Sequence, residues 1–217
     1  MKQILKALVG SRAQGLAGTE SDYDWRGVFI HPTSELLRLN PNTQQTSWNE
    51  GKEDDVSFEV GHILFLATKS NPSVLEIFAS EQYEADGWGE RLRALFPYLW
   101  TSRGVLDAFC GYSMNQRKKL LDDKDGRAAK YACAYLRTLY NADQLLRYGT
   151  FSLNVHGTLV EGALRRYRNG QFTPGEVIDH CNAWQDRVQE AYKDNPDKQT
   201  NMEAVNEFLL DLRRSNW

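Results

Sequence analysis

Two β-rich runs near the front of the chain, Ile4 to Val9 and Tyr23 to Ile30, are separated only by "GSRAQGLAGTESD". So short a connection, opening on Gly and Ser and holding two further glycines, must turn sharply, wind briefly and return as a strand. Leu16 to Gly18 is expected to close that short helix. The second run is aromatic and β-branched and ends at His31-Pro32, where proline holds the preceding residue extended. A strand, turn, helix and strand in so few residues commits the front of the chain to a mixed α/β unit.

The residues from Pro41 to Asp54 are polar and lack apolar periodicity, so they read as a loop. "DVSFEV" then alternates, with Val56, Phe58 and Val60 on one face and Asp55, Ser57 and Glu59 on the other, as in a third strand. From Gly61 the signals turn helical, and no later strand is expected. Asn71 with Pro72, and Ser73 with Glu76, offer two helix starts close together. Helices are expected over Val105 to Leu121, Arg127 to Tyr148 and Leu159 to Asn169, the last two closed by Gly149 and Gly170. Thr173, Pro174 and Glu176 start another, and Thr200 with Glu203 a last one. The expected fold is α+β: a small mixed-sheet lobe over residues 1–100, a helical lobe over 101–217, and a ligand cleft between them.

With 26 Lys and Arg against 29 Asp and Glu, the formal charge of −3 excludes a surface that is basic throughout, although a local basic cleft remains open. Cys110, Cys133 and Cys181 are widely spaced and lack nearby histidines, which speaks against a disulfide framework or a zinc site. The apolar run at the front is broken by Lys6 and ends at Gly10, too short for a signal peptide core, and no segment reaches membrane-spanning length. A reducing cytoplasmic setting is expected.

The first chemical feature is Gly10-Ser11 at a strand end. Backbone N–H groups leaving such a turn suit a phosphate, to which Ser11 adds a hydroxyl donor and Arg12 a guanidinium fork. Taken alone, the same residues also make an ordinary strand-to-helix turn. Asp22 and Asp24, two apart, share a strand face and suit one hard cation, unless Ser-Asp-Tyr-Asp is only a solvated turn. Arg26 shares that face, positioned to offset phosphate charge or to pair with the aspartates. Asp55 supplies a third carboxylate if its strand is adjacent, with Glu59 a weaker candidate. Three carboxylates beside an anion cradle make a site for two Mg²⁺ (or Mn²⁺) ions and a nucleoside triphosphate.

The pattern of Gly10 and Ser11 followed by Asp22 and Asp24 resembles the nucleotidyltransferases of the DNA polymerase β superfamily. "GSRAQGLAGTESDYDWRGVFI", "DDVSFEVGHILFLATKSNPSVLEIF", "YSMNQRKKL" and "KYACAYLRTLYNADQLLRYGTFSL", in that order, are similar to the YcgL-type family, RNA-ligase-associated polymerase-β-like proteins of RNA repair. The resemblance implies that Gly10 and Ser11 hold a triphosphate, that Asp22 and Asp24 bind metal, and that Asp55 helps to activate an acceptor hydroxyl. Lys130 and Arg137 share one face of their helix, opposite the stripe of Ala128, Tyr131, Ala132, Tyr135, Leu136, Leu139 and Leu146. The family's Lys and Arg in this helix favour a phosphate-facing role for Lys130 over a solvated one, and leave Arg137 open.

Tyr112 and Gln116 share a helix face that either touches a base or ribose or packs between lobes. "RRYR" at residues 165–168 reads as a solvated helix face before it reads as an RNA contact. The expected activity is metal-dependent transfer of a nucleoside monophosphate from an NTP to a hydroxyl, with release of pyrophosphate. An RNA 3′ end is the expected acceptor. A protein hydroxyl receiving AMP, or a noncatalytic nucleotide-binding module, are the alternatives, and no membrane partner is expected.

Overall fold

The computed structural model describes residues 1–41, 43–49 and 54–217 of the chain. Strand β1 (Lys2–Val9) leads through the one-turn helix α1 (Gly10–Ala13) to β2 (Asp24–Ile30), and α2 (Thr33–Leu36) follows. Then come β3 (Thr46–Asn49), β4 (Asp54–Glu59), α3 (Val60–Thr68), α4 (Pro72–Ala79), β5 (Tyr83–Ala85) and α5 (Gly87–Ala94). The remainder is helical: α6 (Ser102–Asp122), α7 (Ala128–Tyr148), α8 (Glu161–Arg168), α9 (Pro174–Asp194) and α10 (Met202–Ser215). This is the expected α+β architecture, a mixed sheet followed by a helical part.

The sheet runs β3-β4-β2-β1-β5, with β2 and β4 parallel and the other neighbours antiparallel. Two strands depart from the sequence reading. β3 lies inside the stretch read as a loop, and β5 follows the point after which no strand was expected. Both are edge strands paired on one side only, so neither needs the buried alternation that marks an inner strand. Of the polar stretch, residues 42 and 50–53 lie outside the described residues.

The short helix also falls earlier than expected, at Gly10–Ala13 and not up to Gly18. Gly15, at φ +70, turns the chain out of it, and Leu16, 5% exposed, anchors the return. The cap at Thr173 forms as predicted, with Glu176 completing the box. For α10, by contrast, the cap is Asn201, whose side chain accepts from the Ala204 N–H, and not Thr200. Asn71 alone caps α4, accepting from Ser73 and Val74, which releases Glu76 for another use.

Helix α7 is the axis of the helical part, packed against α6, α8 and α9. Its second half, from Tyr135 to Asp143, is buried without interruption, so the solvated face that an amphipathic reading supplies does not exist there. Several of the polar groups enclosed are matched: Asp143 accepts from Arg147 at 2.8 Å and faces Arg187 at 3.4 Å, and Asn141 accepts from the Ser152 N–H at 3.1 Å, whereas the Tyr135 hydroxyl and Asn141 Nδ2 are buried without a hydrogen-bond partner. α10 returns to the sheet region. Arg213 pairs with Glu59 at 2.7 Å, and Asn216 donates to the His31 carbonyl at 3.0 Å. Glu59 also accepts from the Gly61 N–H to cap α3, so it is a structural residue tying β4 to α10.

Candidate active site

A cleft of about 810 Å³ lies between the α1–β2 segment and the helical part, lined on one side by Gly10, Ser11, Asp22, Asp24 and Arg26. The opposite side carries Tyr112, Arg127, Lys130, Arg137 and Arg168. The first wall is built from backbone geometry. β1 and β2 pair so that Val9 stands opposite Asp24. That register puts the Gly10 turn directly against the Asp24 carboxylate: a Cβ on Gly10 would lie 1.9 Å from Asp24 Oδ2. Gly10 also sits at φ +69, a region that L side chains rarely adopt. Only glycine lets the turn and the carboxylate approach this closely.

Asp22 precedes the first residue of β2 by two positions, so the pair straddles the strand's start and does not lie wholly within it. Both still line the cleft. Asp55 does not. In the parallel pairing of β2 with β4, Asp55 stands opposite Trp25, and the position opposite Asp24 belongs to Asp54. Successive strand residues leave opposite faces, so Asp55 departs on the far side of the sheet from Asp24. There it faces Lys6, whose Nζ lies 3.8 Å from Asp55 Oδ2 and 4.7 Å above the Trp25 ring. The structure thus does not bring Asp55 to the aspartate pair: alternation sets the parity, and a one-residue difference in register decides the face.

Arg12 is not among the residues that line the cleft. Its Nε donates to the Ser21 carbonyl at 2.9 Å and its guanidinium stacks on Tyr23 at 4.0 Å, so it braces the loop ahead of Asp22. Of the two readings open for Tyr112 and Gln116, packing holds for Gln116, 5% exposed inside the helical part, whereas Tyr112, one turn earlier, reaches the cleft. Arg26 lines the cleft while its Nη1 donates to the Trp25 carbonyl at 2.8 Å.

Lys130 is exposed and faces the cleft, as its helix face required. Arg137, one pair of turns deeper, is 8% exposed and donates to Glu76 at 2.6 Å, and both residues line the cleft floor. Removing one member of a pair this enclosed leaves a largely desolvated charge without its partner. Cys133 also lies on the floor; burial pushes its thiol up to about 11, with Arg168 and Arg137 acting weakly in the other direction. It is an inert packing group at neutral pH.

Arg127 and Arg168 are the residues that the sequence reading did not place here. For Arg168 a signal existed. Within "RRYR", Arg165 has Glu161 four residues before it and binds it at 2.8 Å, while Tyr167 is 3% exposed. Arg168 has Leu164 at that spacing, hence no local acid on its own helix, and it reaches instead across the cleft to Ser21 Oγ at 3.4 Å.

Among the described residues, no three His, Cys, Asp or Glu side chains are gathered closely enough to hold a metal ion by themselves. Two aspartates beside the Gly10 turn nevertheless suit Mg²⁺, which commonly takes one or two carboxylates and completes its shell with phosphates and water. No described helix is long and apolar enough to cross a membrane. No curated protein matches the chain in sequence. The model of the RNA repair pathway DNA polymerase beta family (RlaP) matches residues 1–211, and the chain belongs to that family, a group of polymerase-β-superfamily nucleotidyltransferases associated with RNA repair.

Proposed function

We propose that this protein transfers a nucleoside monophosphate from an NTP to the 3′ hydroxyl of an RNA, releasing pyrophosphate. The observation that carries this reading is the close approach of the Gly10 turn to the Asp24 carboxylate, a turn chemistry that suits phosphate beside a group that suits a cation. A metal triphosphate is the ligand class that uses both at once. Asp22 and Asp24 would hold divalent cations, Mg²⁺ or Mn²⁺, which supply charge neutralisation at the phosphates and lower the pKa of an attacking hydroxyl.

The chain's own residues do the positioning. The Gly10-Ser11 backbone and the Ser11 hydroxyl orient the phosphates from the sheet side, and Lys130 offers an ammonium from the helical side. Arg137, held by Glu76, keeps the floor rigid beneath them. RNA as the acceptor rests on the family's association with RNA repair.

Each α-labelled NTP is incubated with Mg²⁺ or Mn²⁺, an RNA ending in a 3′ hydroxyl, and the same RNA ending in a 3′-deoxy nucleotide. Label joining only the hydroxyl-ended RNA is the expected result. Label joining the protein, or joining both RNAs equally, would replace the RNA 3′-end reading.

A further inference from the structure

The α1–β2 loop carries both the phosphate turn and the aspartates, and the helical part grips it at both ends. Near its start, the Val155 N–H donates to the Gln14 carbonyl at 3.1 Å, and the Asn154 side chain packs against Gly15. Near its end, Arg168 Nη2 reaches Ser21 Oγ at 3.4 Å, one residue before Asp22. The two grips differ in kind. The first is a backbone bond of ordinary length. The second spends a guanidinium on a neutral hydroxyl at the long limit of a hydrogen bond, while that same hydroxyl already accepts from the Gly18 N–H at 2.9 Å.

A charged fork with this partner is under-used: its bond to a phosphate oxygen is roughly twice as strong as one to a neutral acceptor. Of the neighbouring arginines of α8, Arg165 is paired with Glu161 at 2.8 Å, and Arg166, at 3.4 Å from the Gln171 carbonyl, is not among the residues that line the cleft. Arg168 is exposed, lines the cleft, and stands beside the loop on which the metal and phosphate groups sit.

We propose that Arg168 is a substrate-binding residue that exchanges Ser21 Oγ for the polyphosphate tail of the NTP, so that the helical part closes on the sheet side when the nucleotide is bound. This rests on the nucleotidyl-transfer reading. The ligand it reads is phosphate and not the nucleoside, because an arginine fork fits phosphate oxygens bidentately and nothing in its role depends on the base.

The test is calorimetric titration of the full chain with inorganic tripolyphosphate, with each NTP and with the matching NMP, all with Mg²⁺. Wild type, Arg168→Ala and Arg168→Lys are compared, with a thermal melt confirming that the variants fold. The expected result is an affinity loss of about tenfold in Arg168→Ala for NTP and tripolyphosphate, a smaller loss in Arg168→Lys, and no change for NMP. Equal losses for NTP and NMP would place Arg168 on the nucleoside or the α-phosphate and not on the polyphosphate tail, and overturn the proposal. Unchanged NTP and tripolyphosphate affinity in Arg168→Ala, with wild type binding both, would overturn it while leaving nucleotidyl transfer standing. Wild type binding no NTP and no tripolyphosphate would instead remove both readings together.

Discussion

The two walls of the cleft are built by different means. On the sheet wall, backbone sets the chemistry: the β1–β2 register, the positive φ of Gly10 and the close approach of Asp24 leave little freedom to the side chains. On the helical wall, long side chains from α7, α8 and their connections reach a common space from separate elements. A wall made of backbone is intolerant of change and visible in sequence as a short motif. A wall made of reaching cations is tolerant and nearly invisible, because each of its members looks like a surface residue until the helices are docked.

If that contrast holds, substitutions should fall into two classes. The largest effect is expected from Asp22→Asn, which should lower nucleotidyl transfer roughly a thousandfold with the fold retained, since several kcal/mol of charge stabilisation depends on the aspartate pair. Gly10→Ala comes next, at about a hundredfold, because a methyl group cannot fit against Asp24 without displacing the turn or the carboxylate. Lys130→Ala, on the tolerant wall, should raise KM for the NTP by only about tenfold. Steady-state kinetics on the three variants breaks the comparison if Lys130→Ala proves as damaging as Gly10→Ala.

Arg137 sharpens the contrast from the other side, since it lines the cleft but is held like a core residue. Arg137→Ala should destabilise the fold by about 3 kcal/mol in denaturant unfolding, because Glu76 would be left enclosed without its partner. The double change Glu76→Gln with Arg137→Met should recover much of that loss. A destabilisation under about 0.5 kcal/mol would place Arg137 with the solvated cations instead.

Asp55 gives a smaller and more pointed comparison. Asp55→Asn should leave transfer within about twofold, because its ion pair with Lys6 lies across the sheet from Asp24. A loss as large as that of Asp22→Asn would show that the face assignment from register is wrong.

The smallest effect concerns pH. His180 sits between Tyr167, at 2.8 Å from Nδ1, and the Trp184 indole N–H, at 3.2 Å from Nε2. Nε2 must accept that indole hydrogen, so the ring is held neutral, and burial lowers its pKa below the ordinary 6.5. A histidine with a lowered folded pKa contributes stability above its unfolded value and loses it as pH falls through the window beneath 6.5. Thermal melts of wild type should therefore decline on acidification more steeply than those of His180→Gln. Identical slopes would exclude His180 as the source.

What sequence could and could not reveal follows the same division. The strand, turn and strand of the front, the cap at Thr173 and the paired aspartates were legible because each is a local rule of sterics or hydrogen bonding. For Asp55, alternation gives parity without saying which parity faces the site. β3 and β5 were missed because an edge strand is defined by a neighbour distant in sequence. Arg168 and the Glu76–Arg137 pair, 61 positions apart, depend on how helices dock, and only the missing acid one turn before Arg168 hinted at a distant partner.

The most direct test of the central claim is pyrophosphate release from NTP and a 3′-hydroxyl RNA, measured with and without Mg²⁺ or Mn²⁺ for wild type and for Asp24→Asn. The account predicts one pyrophosphate per nucleotide added, only with the metal and only in wild type. Equal release by Asp24→Asn, or none from wild type with any NTP and either metal, would contradict it.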